Sequence, residues 1–169
     1  MKRSYFILWY RLTKKNRYII WYSDEEEGVL VDNNNKIPVF KKIKKLKQFA
    51  VQENIKIEDG KPILHNLDAV RIWLNKGTKG DINCKKILAA WNLFIDVATS
   101  LQIDAKKLQA YSGKSNKVYK KIFWGNNLPV VTPSRKKYIP IWNSKEIRLI
   151  KKIIRFGFSI FFDHIYLVE

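Results

Sequence analysis

The sequence predicts an α+β fold: a small antiparallel sheet of three or four strands from residues 1–60, packed against a helical half from residues 61–169. Three observations predict it. Residues 4–23 are dense in Tyr, Trp, Phe and Ile, which suit a pleated surface. Beyond residue 82, apolar residues recur at helical spacings. Proline gathers in one segment, with Pro129, Pro133 and Pro140 between two helical patterns. The 169 residues hold no internal repeat, no low-complexity tract and no Pro/Ser linker, so one domain is expected across 1–169.

Ser4–Leu12 and Arg17–Ser23 read as two strands of a hairpin, joined by the short polar stretch Thr13–Asn16. Asp24–Gly28 is an acidic turn. Gly28–Asp32 is a third short strand, and Asp32–Lys36 its turn. Ile55–Glu58 is a candidate fourth strand. Lys41–Glu53 reads as a helix, because Ile43, Leu46, Phe49 and Ala50 share one face.

Asn66 or Asp68 starts a short helix ending at Leu74. Asp81 is the expected N-cap of a long helix, Ile82–Gln102. That helix is apolar around most of its circumference, which places it centrally. Its narrow polar strip holds Asn92, Asp96 and Thr99. A carboxylate inside such a helix needs a partner, and a hydrogen bond within the fold is expected for Asp96, with Asn92 and a lysine or tryptophan donor as candidates. Asn116–Phe123 is a further helix, closed by Gly125 and Pro129. Asn143 with Glu146 three residues on reads as a capping box for a last helix reaching His164. Ile147, Ile150, Ile154, Phe158, Phe161 and Ile165 form its buried face; Arg148, Lys151, Lys152 and Arg155 line the other side.

The charge balance is lopsided, 33 Lys and Arg against 15 Asp and Glu, for a formal +18. Such a chain attracts acidic surfaces and polyanions. The 46% hydrophobic content and the many aromatics exclude a disordered chain. The single cysteine, Cys84, forms no intramolecular disulfide, so no oxidising compartment is implied. Tyr5–Tyr10 is too short for a signal-peptide core, and charges interrupt Ile147–Val168 as a spanning segment. A cytoplasmic protein with no membrane association is expected.

Catalytic chemistry is poorly stocked. His65, His164 and Cys84 lack metal-ligand spacing. Cys84 near a helix start invites comparison with activated thiols, but reads as a core residue. Asp24, Glu25, Glu26 and Glu27 read as a solvated turn. Lys76–Gly80 matches no phosphate-binding pattern and reads as a flexible basic loop. No catalytic residue, metal or cofactor is assigned, and the protein is expected not to be an enzyme.

Binding is the better-supported function. Basic groups cluster at Lys41–Lys47, Lys114–Lys121, Arg135–Lys137 and the Arg148–Arg155 face, with Trp124, Tyr138 and Trp142 among them. Charge and expected exposure select Lys117, Lys120, Lys121, Trp124, Arg135, Lys136, Lys137, Arg148, Lys152 and Arg155 as partner-binding residues. Interleaved basic and aromatic residues also suit single-stranded nucleic acid, which is the alternative partner. Against it stand the absence of known recognition motifs and the scarcity of arginine.

Several stretches carry a resemblance along most of the chain. They are Ile7-Leu8-Trp9-Tyr10-Arg11, Arg17–Tyr22 with the Asp24–Gly28 turn, and Lys36-Ile37-Pro38-Val39-Phe40. They continue with Ala90-Trp91-Asn92-Leu93-Phe94 and Asp96, Phe123-Trp124-Gly125-Asn126-Asn127-Leu128-Pro129, and Tyr138 to Trp142. In these the chain resembles immunity proteins of bacterial contact-dependent growth inhibition and related polymorphic toxin systems. The resemblance implies a cytoplasmic protein that binds and neutralises the C-terminal domain of a cognate toxin, often a nuclease. It implies no catalysis and no cofactor, and it transfers no contact residues. Nuclease inhibitors are often acidic, whereas this chain is basic. Its toxin is therefore expected to offer an acidic face, or to be bound away from its substrate cleft.

Overall fold

A computed structural model of the chain describes residues 3–76, 81–104, 106, 108, 113–132 and 136–169. The α+β architecture expected from the sequence is present. In chain order the elements are β1 (Ser4–Leu12), β2 (Lys15–Ser23), β3 (Glu27–Val29), β4 (Ile37–Val39), α1 (Ile43–Gln52), β5 (Leu64–Asn66), α2 (Leu67–Asn75), α3 (Cys84–Ser100), α4 (Gly113–Gly125), α5 (Ser144–His164) and β6 (Ile165–Leu167).

The main sheet has the order β3-β2-β1-β5. β1 and β2 pair antiparallel from Ser4↔Ser23 to Leu12↔Lys15. The connecting turn is only Thr13-Lys14, both at positive φ (52° and 58°), as a two-residue hairpin of this twist requires. Neither residue favours that region. The turn is held from outside: the Asp68 carboxylate, at the start of α2, accepts from Thr13 N at 2.7 Å and Lys14 N at 2.8 Å.

The sheet is mixed, not purely antiparallel. β5 runs parallel to β1, with Trp9↔Leu64 to Arg11↔Asn66 in register. The expected fourth strand at Ile55–Glu58 is not formed; Ile57 makes only an isolated bridge to Tyr5. β4 and β6 form a second, two-stranded parallel sheet. Ile165 therefore does not continue the last helix. It leaves the helix as the first residue of β6 and pairs with Ile37.

Strand alternation gives the main sheet two buried faces. Leu8, Tyr10, Leu12 and Ile19 point into the larger core, shared with α2, α3, α4 and α5. Ile20, with Tyr5, Ile7 and Tyr18 beside it, packs on the other face against Phe40, Leu46 and Ala50. The layers are α1, sheet, and the helical half. α3 is central as expected: Trp91, Phe94 and Val97 are fully buried. Its N-cap is Asn83 and not Asp81, the Asn83 side chain accepting from Lys86 N at 3.0 Å. Trp91 Nε1 donates to Leu108 O at 2.7 Å. α5 crosses α3 where Gly157 meets Phe94.

One expectation about α5 is corrected. Lys151 does not line the solvent side with Arg148, Lys152 and Arg155; it is buried. Position 151 lies one turn beyond Ile147, at the flank of the apolar stripe, and the long side chain reaches the end of α2. There its ammonium donates to Leu74 O at 3.2 Å and to Lys76 O, 5.0 Å from the Trp73 ring centre. A cation on the free carbonyls of a helix C-terminus is favourable. Burial lowers the Lys151 pKa, and the nearby Arg155 adds to that lowering.

Candidate partner-binding surface

α4 is anchored by Val118 and Ile122, which enter the core. Tyr119 sits edge-on to Trp91 and donates its hydroxyl to Asn92 Oδ1 at 2.8 Å. With that face fixed on α3, helical spacing turns Lys117, Lys120 and Trp124 outward, and all three are exposed.

Lys121 is different. Its ammonium donates to both Glu146 carboxylate oxygens at 2.9 Å and lies 4.9 Å from the Trp142 ring centre. Glu146 is also the N3 residue of the capping box, accepting from Asn143 N at 3.0 Å while Glu146 N donates to Asn143 Oδ1 at 2.9 Å. Burial pushes the Glu146 carboxyl up, but Lys121 and the Asn143 N–H outweigh it and leave the pKa lowered. Lys121 thus ties α4 to the start of α5.

The segment between α4 and α5 folds back on α4. Asn127, at positive φ, clasps it: Asn127 Nδ2 donates to Tyr138 O at 2.9 Å, and Tyr138 N donates to Asn127 Oδ1 at 2.8 Å. Pro140 packs so closely on Gly125 that a Cβ there would lie 2.9 Å from Pro140 Cγ and 2.7 Å from Cys84 Sγ. Around this clasp large aliphatic side chains stand in solvent: Val130 is 96% exposed, Ile139 82% and Ile141 85%. Leu128, Val131 and Tyr138 are also exposed. Lys136 and Lys137 immediately precede Tyr138 and are exposed.

Lys117, Lys120 and Trp124 on α4 and Lys136 and Lys137 before Tyr138 are therefore all exposed. Arg148 follows one helical turn into α5. Lys152 and Arg155 continue the same exposed stripe, Arg155 about 10 Å further along the axis. Arg155 also donates to Leu74 O at 2.9 Å. Arg135 lies outside the described residues, as do 77–80 of the expected Lys76–Gly80 loop. Between Ala105 and Phe162 the sequence holds 14 Lys and Arg and one carboxylate, Glu146. Since Glu146 is itself bonded to Lys121, the surface presents one sign of charge.

The aliphatic residues were missed at the sequence level. Their signal was present: Val130, Val131, Ile139 and Ile141 sit beside prolines in a segment without periodicity, where no regular element would bury them.

The other candidate groups are accounted for. Cys84 is buried beneath Gly125, and burial raises its thiol pKa, the opposite of an activated thiolate. His65 and His164 each contact a backbone carbonyl, of Ile63 and Ile160. Among the described residues, no group of three or more His, Cys, Asp or Glu is placed to hold a metal ion. Among them, no helix is long and apolar enough to cross a membrane.

No family profile and no curated protein matches the chain. Among solved structures it is similar to the C-terminal domain of SatS, crystallised in complex with bromine. The two align over 98% of this chain and 94% of that one, at 13% identity and a TM-score of 0.52. At that identity the likeness concerns the fold alone.

Proposed function

We propose that this chain is an immunity protein that binds and neutralises the C-terminal domain of a cognate bacterial toxin, a nuclease, in the cytoplasm. The observation that carries this reading is the α4–α5 surface, where exposed aliphatic side chains lie among basic ones. Clustered exposed apolar side chains mark protein–protein contact sites. Single-stranded nucleic acid is bound by stacking on aromatic faces, which Val130, Ile139 and Ile141 do not have. An acidic toxin face would be steered by the lysines, while the aliphatic residues and Trp124 supply the desolvated centre. The reading calls for no catalytic group and no cofactor.

The test is calorimetry against the toxin domain encoded immediately upstream, with an arbitrary RNA as comparison. A saturable one-to-one protein complex that persists at high salt is expected. Ile139→Asp and Ile141→Asp should each weaken it at least about tenfold, with thermal stability unchanged. Lys120→Glu should mainly slow association. If the protein complex is absent and RNA binds in a salt-sensitive way instead, the immunity reading fails and the nucleic-acid reading replaces it.

A further inference from the structure

A recess lies between the α3-facing side of the main sheet and α3 itself. Its volume is about 360 Å³, within the range of small-molecule sites. Phe6 and Trp21, with ring centres 5.7 Å apart, form an aromatic wall. Ile63 and Leu93 add aliphatic surface.

The charge of this cleft is the reverse of the whole molecule's. Glu27 from β3, Glu58 from the connection before β5 and Asp96 from α3 all line it. Lys61 is the one Lys or Arg side chain there, and burial lowers the pKa of His65. Asp96 is half satisfied: Oδ2 accepts from Trp21 Nε1 at 2.9 Å. Oδ1 has no donor among the described residues. An apolar, aromatic-walled hollow holding an underused carboxylate complements one ligand chemistry, a cation carried on a hydrophobic body.

We propose that this cleft binds a small amphipathic amine, its ammonium held by Asp96 with Glu27 and Glu58, its apolar body against Phe6 and Trp21. The proposal goes beyond the immunity reading and stands without it. The site has a built-in pH dependence. Burial, opposed in part by the Trp21 hydrogen bond and reinforced by Glu27, pushes Asp96 up to about 7. A proton and the ammonium therefore compete for the same oxygen. Of the groups facing Asp96, Glu27 and Glu58 reinforce the cation's attraction, and Lys61 opposes it, as does His65 when protonated.

The experiment is an NMR titration of the intact chain with 2-phenylethylammonium, set against 3-phenylpropionate, which has a similar shape and the opposite charge. A fragment of about nine non-hydrogen atoms should bind with a Kd on the order of 1 mM. Shifts should be saturable and centred on Phe6, Trp21, Glu27 and Asp96, with none from the carboxylate probe. Lowering the pH from about 8 to about 6 should weaken amine binding about tenfold, following the ionised fraction of Asp96. Asp96→Asn keeps an acceptor for Trp21 Nε1 and should abolish that pH dependence while weakening binding about tenfold. Glu27→Gln, at an exposed strand end, should weaken it severalfold. Equal binding of both probes, no saturable shift with the amine, or an unchanged Kd in both variants would each overturn the proposal.

Discussion

Gly157→Ala adds one methyl where α5 crosses α3. An ideal Cβ at position 157 would sit 2.5 Å from Phe94 Cγ and 2.7 Å from Phe94 Cβ. Ordinary carbon contacts begin near 3.5 Å, so the two helices must part by roughly 1 Å or Phe94 must move. Phe94 has little freedom. It is fully buried, with its ring 4.9 Å from that of Phe158 and 6.2 Å from that of Phe161. Because the clash includes Cβ, a rotation about χ1 does not relieve it. Overpacking of this kind costs about 1–3 kcal/mol or more. Replacing a mid-helix glycine by alanine returns about 1 kcal/mol. The clash lies at the rigid end of the side chain, so the upper part of the range applies, for a net loss of about 2 kcal/mol. For a domain of this size that lowers Tm by about 4–8 °C. Urea unfolding followed by circular dichroism reads it directly, with a lower midpoint and an unchanged slope expected. Lys152→Ala, on the exposed side of the same helix, is the control and should fall within about 0.5 kcal/mol of the parent. An equal or higher midpoint for Gly157→Ala would refute the close approach of α3 and α5.

Three further outcomes are expected. Replacing Thr13-Lys14 by Asn-Gly should raise stability by about 1–2 kcal/mol, since both positions are left-handed and these residues suit them; the urea midpoint checks it. Asn143→Ala removes the side-chain half of the capping box and should cost about 0.5–2 kcal/mol, seen as a lower Tm. Asp96 titrates near 7 in the folded protein, above its unfolded value. Its contribution to stability is thus full below about pH 4 and lost as pH rises from about 4 to about 7. Over that rise the parent should lose up to about 4 kcal/mol relative to Asp96→Asn. Parallel midpoint-against-pH curves for the two proteins would rule this out.

The parts of the fold legible in the sequence are those written locally. The β1–β2 hairpin follows from aromatic and β-branched runs around a short polar stretch. The Asn143–Glu146 capping box is present atom for atom. Asp96 has the tryptophan donor expected of a carboxylate on an apolar helix, from Trp21. The parts not legible are long-range pairings of very short strands. Leu64-His65-Asn66 is three residues without alternation, and only β1, more than fifty residues away, makes it a strand. Ile165 fits the helical period of α5, yet pairing with Ile37 takes it out of the helix. Residue type places Lys151 in solvent, although its position beside Ile150 and Ile147 puts it at the edge of the buried stripe, and it is buried. For the candidate surface, composition alone did not separate Lys121, bound to Glu146, from Lys117 and Lys120, which are exposed.

That separation bears on how the surface works. The Lys121–Glu146 contact, the capping box and the Asn127–Tyr138 clasp all fall on residues close in sequence to the exposed aliphatic side chains. Each fixes a backbone position from which one of them projects: Tyr138 precedes Ile139, and Trp142 and Asn143 follow Ile141. A segment without regular structure would ordinarily lose considerable conformational freedom on binding. Here hydrogen bonds at Tyr138 and Asn143 already fix part of it in the free protein, which would favour the proposed binding. Lys117, Lys120, Lys136 and Lys137 are long and exposed, and would suit guiding encounter more than fixing the final geometry. The division of labour proposed for this surface therefore rests on where the hydrogen bonds fall: on the backbone beside the aliphatic side chains, and not on the exposed lysines of α4.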